Sequence, residues 1–254
     1  LEPCGRSKRL EPAGEREQTE AAKRHATMTL IGPDADLPSV VALSLIVSVT
    51  ATLGAAVLGL PLGAVLAILR FPGRRTAILV ANALLGLPPV VVGLMLYLLL
   101  SWSGPLGVLN LLFTPAAMIL AQLLLALPIV TALSHRGMAA IWSRYGNDFL
   151  ALGFHRGQAL RHVIAIGRVE ALTATLAGFG RTISEVGAIL IVGGNIAGST
   201  RTMTTAITLE TAEGHFARAL ALGVILIAIG VTVSAAAFFL SGRGGRTIAQ
   251  GEGP

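Results

Sequence analysis

Five apolar stretches separated by polar ones set the layout of the chain. Residues 37–69 carry no charged side chain. A membrane-crossing helix needs about 20 apolar residues, and two crossings with a turn need more than about 40. The stretch therefore predicts one long helix, tilted or bent at Gly59–Pro61, where proline removes a backbone hydrogen bond. Its small residues, Ser44, Ser48, Thr52, Gly54, Ala55 and Ala56, suit close packing against another helix. Residues 70–75 close it with three arginines around a Pro-Gly break. Residues 76–100 predict a second crossing, interrupted at Gly86-Leu87-Pro88-Pro89. A break at membrane depth must be covered by protein or line a wet cavity. Pro88 and Pro89 thus read either as a packing kink or as a bend beside a translocation path. Residues 101–114 form an uncharged loop. Residues 115–133 predict the third crossing and 171–194 the fourth. Residues 195–215 read as a polar loop rich in Gly and Thr, and 216–240 as the fifth crossing. The predicted fold class is all-α, a polytopic membrane protein with five transmembrane helices between residues 37 and 240. Polar tails flank it at 1–36 and 241–254.

One polar stretch interrupts this pattern at length. Residues 134–170 hold five arginines and three of the five histidines. Most connections take only about 4–6 residues, so this one has structure of its own. Two short helices are expected, about 139–152 and 156–166, with Gly153 between them, where the backbone turns most easily.

Charge then orients the chain. Only 13% of residues are charged, about half the usual share of a soluble domain. The net charge is +6, but its distribution matters more than its sum. The segments 70–75, 134–170 and 241–254 hold ten arginines, whereas 101–114 and 195–215 hold one. Positive loops stay on the cytoplasmic side. The 134–170 loop and the C-terminus are therefore expected in the cytoplasm and the N-terminus outside, across a plasma (inner) membrane. Topology accounts for the basic character, so no nucleic-acid partner is inferred. Residues 1–27 are polar, lack the apolar run of a signal peptide, and precede Met28. They are expected to be a disordered, dispensable extension. The single cysteine, Cys4, lies there, so the chain has no intrachain disulfide.

Enzymatic chemistry finds no support. No lysine follows Lys23, so the membrane part lacks the G-x-x-x-x-G-K-[ST] loop that cradles phosphates. Neither a zinc-protease helix nor a G-x-S-x-G elbow occurs. His155 and His162, seven residues apart, read as solvated loop histidines. No catalytic residue, metal or cofactor is predicted. Arg181 and Glu185 are the exception to the apolar rule. Spaced i and i+4, they share a helix face and can pair, which lowers the cost of charge at membrane depth. They read as lining the translocation path or as bracing two helices.

The 134–170 layout resembles the cytoplasmic E-A-A-x-x-x-G loop of ABC importer permeases. Asn147-Asp148-Phe149 stands at the E-A-A position and Leu152-Gly153 matches. Ala165-Ile166 stands where that family usually has Leu-Pro. Further runs resemble the five-span permeases of oxyanion importers, closest to the tungstate type and next to the molybdate type. They are 59–63 (GLPLG), 70–75 (RFPGRR), 86–93 (GLPPVVVG), 178–188 (GFGRTISEVGA) and 192–196 (VGGNI), followed by 204–207 and 209–211. The resemblance implies a permease subunit of an ATP-driven importer for an oxyanion, tungstate first. It implies a separate ATPase subunit docked on the 134–170 coupling loop, at Asn147, Asp148, Ala151, Leu152, Gly153 and Arg156. It also implies an extracytoplasmic oxyanion-binding protein and a homodimeric permease. Pro88, Pro89, Arg181, Glu185 and Asn195 are its candidates for the path or gate. A self-sufficient secondary transporter and a permease for molybdate or another small anion are the alternatives.

Overall fold

A computed structural model describes residues 37–245, all helices and connections without a strand among them. The tails 1–36 and 246–254 lie outside the described residues. Helix α1 (Leu37–Ile68) runs unbroken through Pro61. Helix α2 (Arg74–Ala83) leads through a tight turn, Leu84–Gly86, into α3 (Pro89–Leu100), and the two are bent by 101°. Helix α4 (Pro115–Ala151) is the longest at 37 residues. Then come α5 (Arg156–Ile166), α6 (Arg168–Ile183), the short α7 (Gly187–Gly193), α8 (Met203–Ala212) and α9 (Phe216–Gly245). Three helices, α1, α4 and α9, are long and apolar enough to cross a membrane, and each of two bent pairs can supply one more. The second pair is α5 with α6, bent by 71°.

The centre is the pairing of α1 with α4, on which α6 and α7 pack. Small residues make the approach possible. Gly59 and Gly63, one turn apart on α1, face Thr131 and Ser134 on α4. The Ser134 hydroxyl donates to the carbonyls of Thr131 (3.1 Å) and Gly59 (3.3 Å). Small residues four apart let backbones meet where lipid supplies no hydrophobic drive between helices. Gly59, expected with Pro61 to mark a bend, thus belongs with Gly63 to the α1–α4 crossing. Apolar clusters sit on either side of it. One gathers Val47, Leu96, Met118 and Ile189, and the other Ile68, Met138, Ile141 and Val163.

Three expectations are corrected. The third crossing does not end at Leu133, because α4 continues to Ala151 and takes in the helix expected at 139–152. The chain becomes polar at Ser134, but nothing there breaks a helix. The first left-handed residue after Pro115 is Gly153, with φ +84°. The fourth apolar segment is not one rod. It is α6, a break at Ser184–Val186, and α7. The loop 195–215 contains a helix, α8. Thr202 caps its start, and Thr205 caps back in a reciprocal pair.

Candidate functional site: two abutting helix breaks and an exposed elbow

The break between α2 and α3 meets the break between α6 and α7. A Cβ on Gly93 would lie 2.7 Å from Ala188 Cα, and one on Gly187 would lie 2.8 Å from Val90 Cγ2. The Pro88–Pro89 break and the Ser184–Val186 break therefore abut. Each has its own cause. Pro89 is the first residue of α3, where its missing N–H costs nothing, and Pro88 is extended at ψ 120°. The second break contains no proline. Glu185 makes it.

Glu185 is 3% exposed and Arg181 35%. Arg181 Nη2 lies 3.3 Å from Glu185 Oε2. Glu185 Oε1 accepts from Ala188 N–H at 3.1 Å, capping the start of α7. The pair therefore spans a helix break rather than one helix face. Arg181 closes α6, and Glu185 lies beyond its end. The carbonyls released at the break find partners. Gln122 Nε2 of α4 donates to the Thr182 carbonyl at 2.9 Å, and the Thr182 hydroxyl lies 3.0 Å from Thr52 Oγ1 of α1. Thr204 Oγ1 of α8 donates to the Glu185 carbonyl at 3.0 Å. Met203 N–H donates to Ser44 Oγ of α1 at 2.8 Å. Irregular backbone within a membrane persists only when protein satisfies it, and here α4 and α8 do so, with α1 packed behind them.

Asn195 stands apart from this cluster, beyond the far end of α7. It is left-handed at φ 52°, and its Oδ1 is buried without a hydrogen-bond partner. Its neighbour Gly194 packs on the Phe113 ring. The structure thus brings Pro88, Pro89, Arg181 and Glu185 to one region and places Asn195 in a turn one short helix away.

At the opposite end α4 and α5 meet in an elbow. Asn147, Asp148, Ala151, Leu152 and Gly153 are all exposed there, Leu152 by 74%. An aromatic stack holds the elbow shut. Phe149 stacks on Trp142 (6.5 Å between centroids) and on His162 (6.0 Å), and Phe154 meets both Phe149 and His162 edge-on. His162 is thus part of the stack while remaining exposed to solvent. Arg156 turns inward. Its Nη1 donates to the Ile68 carbonyl at the end of α1 (3.0 Å), and its guanidinium covers Trp142 at 5.6 Å. It braces the elbow against α1. A surface groove of about 690 Å³, lined by Gly153, Phe154, Arg161 and His162 among others, runs along the outer face of α5. Gly153 has open space around its Cβ position, so only its backbone conformation resists substitution. Gly153→Ala is expected to cost about 1 kcal/mol, and Gly153→Asn less. Thermal unfolding in detergent reads both.

At the α8–α9 corner, His215 Nδ1 lies 3.2 Å from Glu210 Oε2 and 3.4 Å from Glu213 Oε2, with Arg218 Nη1 3.8 Å from Glu210. The guanidinium beside the carboxylates makes this an ion-pair cluster, since a divalent cation there would meet a fixed positive charge.

An all-helical membrane protein with broken crossings at its centre and an exposed polar elbow at one end has the parts of a transporter subunit. No family model matches the chain. Curated relatives do. The chain is 43% identical over 204 residues to a probable anion ABC transporter permease protein of Haloferax volcanii, covering 78% of this chain and 88% of that one. It is 37% identical over 217 residues to a tungstate uptake system permease protein of Peptoclostridium acidaminophilum, covering 85% and 95%. A tungstate uptake system permease protein of Campylobacter jejuni is 42% identical over 162 residues, covering 63% and 66%. The chain belongs to the ABC importer permeases, in their oxyanion branch. It is a multi-pass membrane protein and a transporter component rather than an enzyme.

Proposed function

We propose that this chain is the membrane-spanning permease subunit of an ATP-driven importer for tungstate. The observation that carries the reading is the 37% identity that spans 95% of a tungstate uptake permease. Two copies form the path between them, because one core with three long crossings and two bent ones is thin for a complete pore. A separate ATPase subunit docks on the elbow, at Asn147, Asp148, Ala151, Leu152 and Gly153, whose exposure supports that use. Arg156 belongs to the same loop as its brace. An extracytoplasmic binding protein delivers the anion to the opposite side. The arginine count supports an N-terminus outside and a C-terminus in the cytoplasm. Pro88, Pro89, Arg181 and Glu185 stand where the breaks meet and shape or brace the path, and Asn195 lies toward its outer end. The mechanism is alternating access: ATP-driven closure of the ATPase pair moves the elbows, and the helices that carry them reorient around the breaks.

The test is reconstitution of the permease with its ATPase and binding protein in liposomes. Tungstate uptake that needs both partners and ATP is expected. Uptake by the permease alone, indifferent to ATP, would identify a secondary transporter instead.

A further inference from the structure

The arginines of this protein are engaged almost everywhere they are buried. Arg74 donates to the carbonyls of Leu66 and Ala67, Arg156 to that of Ile68, and Arg181 and Arg218 meet carboxylates. Arg201 differs. It is half-buried, its Nε is closed off from solvent, and that nitrogen has no hydrogen-bond partner. Among the described residues it is the arginine that is neither exposed nor paired through its side chain.

Its position is fixed by its neighbours rather than by its own charge. Thr200 Oγ1 donates to the Gly193 carbonyl and accepts from Ile196 N–H at 3.0 Å. Arg201 N–H donates to the Ile196 carbonyl at 3.1 Å. Directly after it, α8 is anchored through Met203 to α1 and through Thr204 to the Glu185 carbonyl at the break. The loop thus places Arg201 three residues before Thr204, whose hydroxyl bonds the Glu185 carbonyl at the break. Among the described residues no nearby acid is free to neutralise Arg201. The Glu185 carboxylate is taken by Arg181 and by the Ala188 amide. Glu210, in the last turn of α8, and Glu213, just past its end, lie beside His215 and Arg218, at the other end of a helix about 15 Å long at 1.5 Å per residue. At the start of α8 the amides of Thr202, Met203 and Thr205 are taken by Thr205 Oγ1, Ser44 Oγ and Thr202 Oγ1.

A guanidinium nitrogen closed off from solvent without a partner is costly, and a charged acceptor supplied from outside removes that cost. Its planar fork suits the oxygens of a tetrahedral oxyanion. We propose that Arg201 is the anion-capturing residue of the permease, receiving the incoming dianionic oxyanion on the outer side of the helix breaks. This rests on the permease reading, and on the orientation that puts residues 195–215 outside.

The experiment is the complete transporter, permease with ATPase and binding protein, reconstituted in liposomes, with tungstate uptake and ATP hydrolysis measured together. Arg201→Gln is expected to lower the tungstate carried per ATP about tenfold, the loss of one charge-assisted contact. Binding-protein-stimulated hydrolysis and recovery of the intact complex stay within about twofold of the parent in the same samples. Arg201→Lys, which keeps the charge, is expected to recover most of the coupling. Unchanged uptake in Arg201→Gln overturns the anion role. So does an Arg201→Lys complex as impaired as Arg201→Gln, or loss of the assembled complex in both, since either result makes the side chain structural. A parent complex without ATP-driven uptake would instead overturn the permease reading itself, whatever Arg201 does.

Discussion

Gly63→Ala is expected to be among the most damaging single-methyl additions in the protein. A Cβ at residue 63 would stand 2.0 Å from Ser134 Oγ and 2.8 Å from both His135 N and the Thr131 carbonyl oxygen. The hydroxyl can rotate away, but the backbone of α4 cannot. The two central helices would have to separate, and Ser134 would lose its bonds to Gly59 and Thr131. Overpacking costs about 1–3 kcal/mol in ordinary cores, and backbone contact places this site near about 3 kcal/mol at the top of that range. The check is thermal unfolding of the detergent-solubilised permease, with yield of intact protein. Gly54→Ala is the control. Its nearest contact is the end of a Leu123 side chain at 2.7 Å, which has room to turn. Equal losses at the two positions would mean that the crossing at Gly63 is looser than described.

The second large effect is expected at the ion pair, and it is asymmetric. Arg181→Ala leaves the Glu185 carboxylate buried with only one backbone donor. Removing one partner of a fully buried pair costs about 3–5 kcal/mol. Because Arg181 is 35% exposed, the expected loss is discounted to about 2–3 kcal/mol. Glu185→Gln is milder. The amide oxygen can still accept from Ala188 N–H, and the arginine left behind reaches water. A loss of about 1 kcal/mol is expected there. Adding Glu185→Gln to Arg181→Ala should restore part of the stability, because the buried charge is gone. A double-mutant cycle on unfolding midpoints measures this coupling. Simple additivity would show that the two side chains do not act as a pair. Uptake by the same variants separates a brace from a path residue, since a brace alone leaves the transport rate per folded complex near that of the parent.

Much of this architecture was legible in sequence where a residue type forces the backbone. The double proline Pro88-Pro89 separates α2 from α3, whereas the single Pro61 and Pro128 lie inside α1 and α4, and Gly153 adopts the left-handed turn that its lack of a Cβ permits. The limits of α5 followed from its amphipathic pattern between Gly153 and Gly167. The break at Ser184–Val186 was not legible. That run contains no proline, and its freed carbonyls are satisfied by groups far away in sequence, Gln122 and Thr204. Helix α8 was hidden by its threonines, which favour extended backbone until packing overrides them. Its one local signal was Thr202 three residues before Thr205, a reciprocal cap. The end of α4 was misplaced because the change from apolar to polar at Ser134 marks a change of surroundings, not the end of a helix. Arg201 carried no signal in sequence. An unpaired arginine looks like any other until the acids around it are seen to be occupied.

The unbroken length of α4 has a mechanical consequence. The Gly63–Ser134 contact clamps it near its middle, about 29 Å from one end and about 26 Å from the other at 1.5 Å per residue. A stiff rod pivoted at its midpoint is an equal-arm lever. A push of a few ångströms at the elbow would emerge at the far end with about the same size and the opposite sense. The protein needs no amplifying joint between its two faces, and the stroke available on one side sets the opening available on the other.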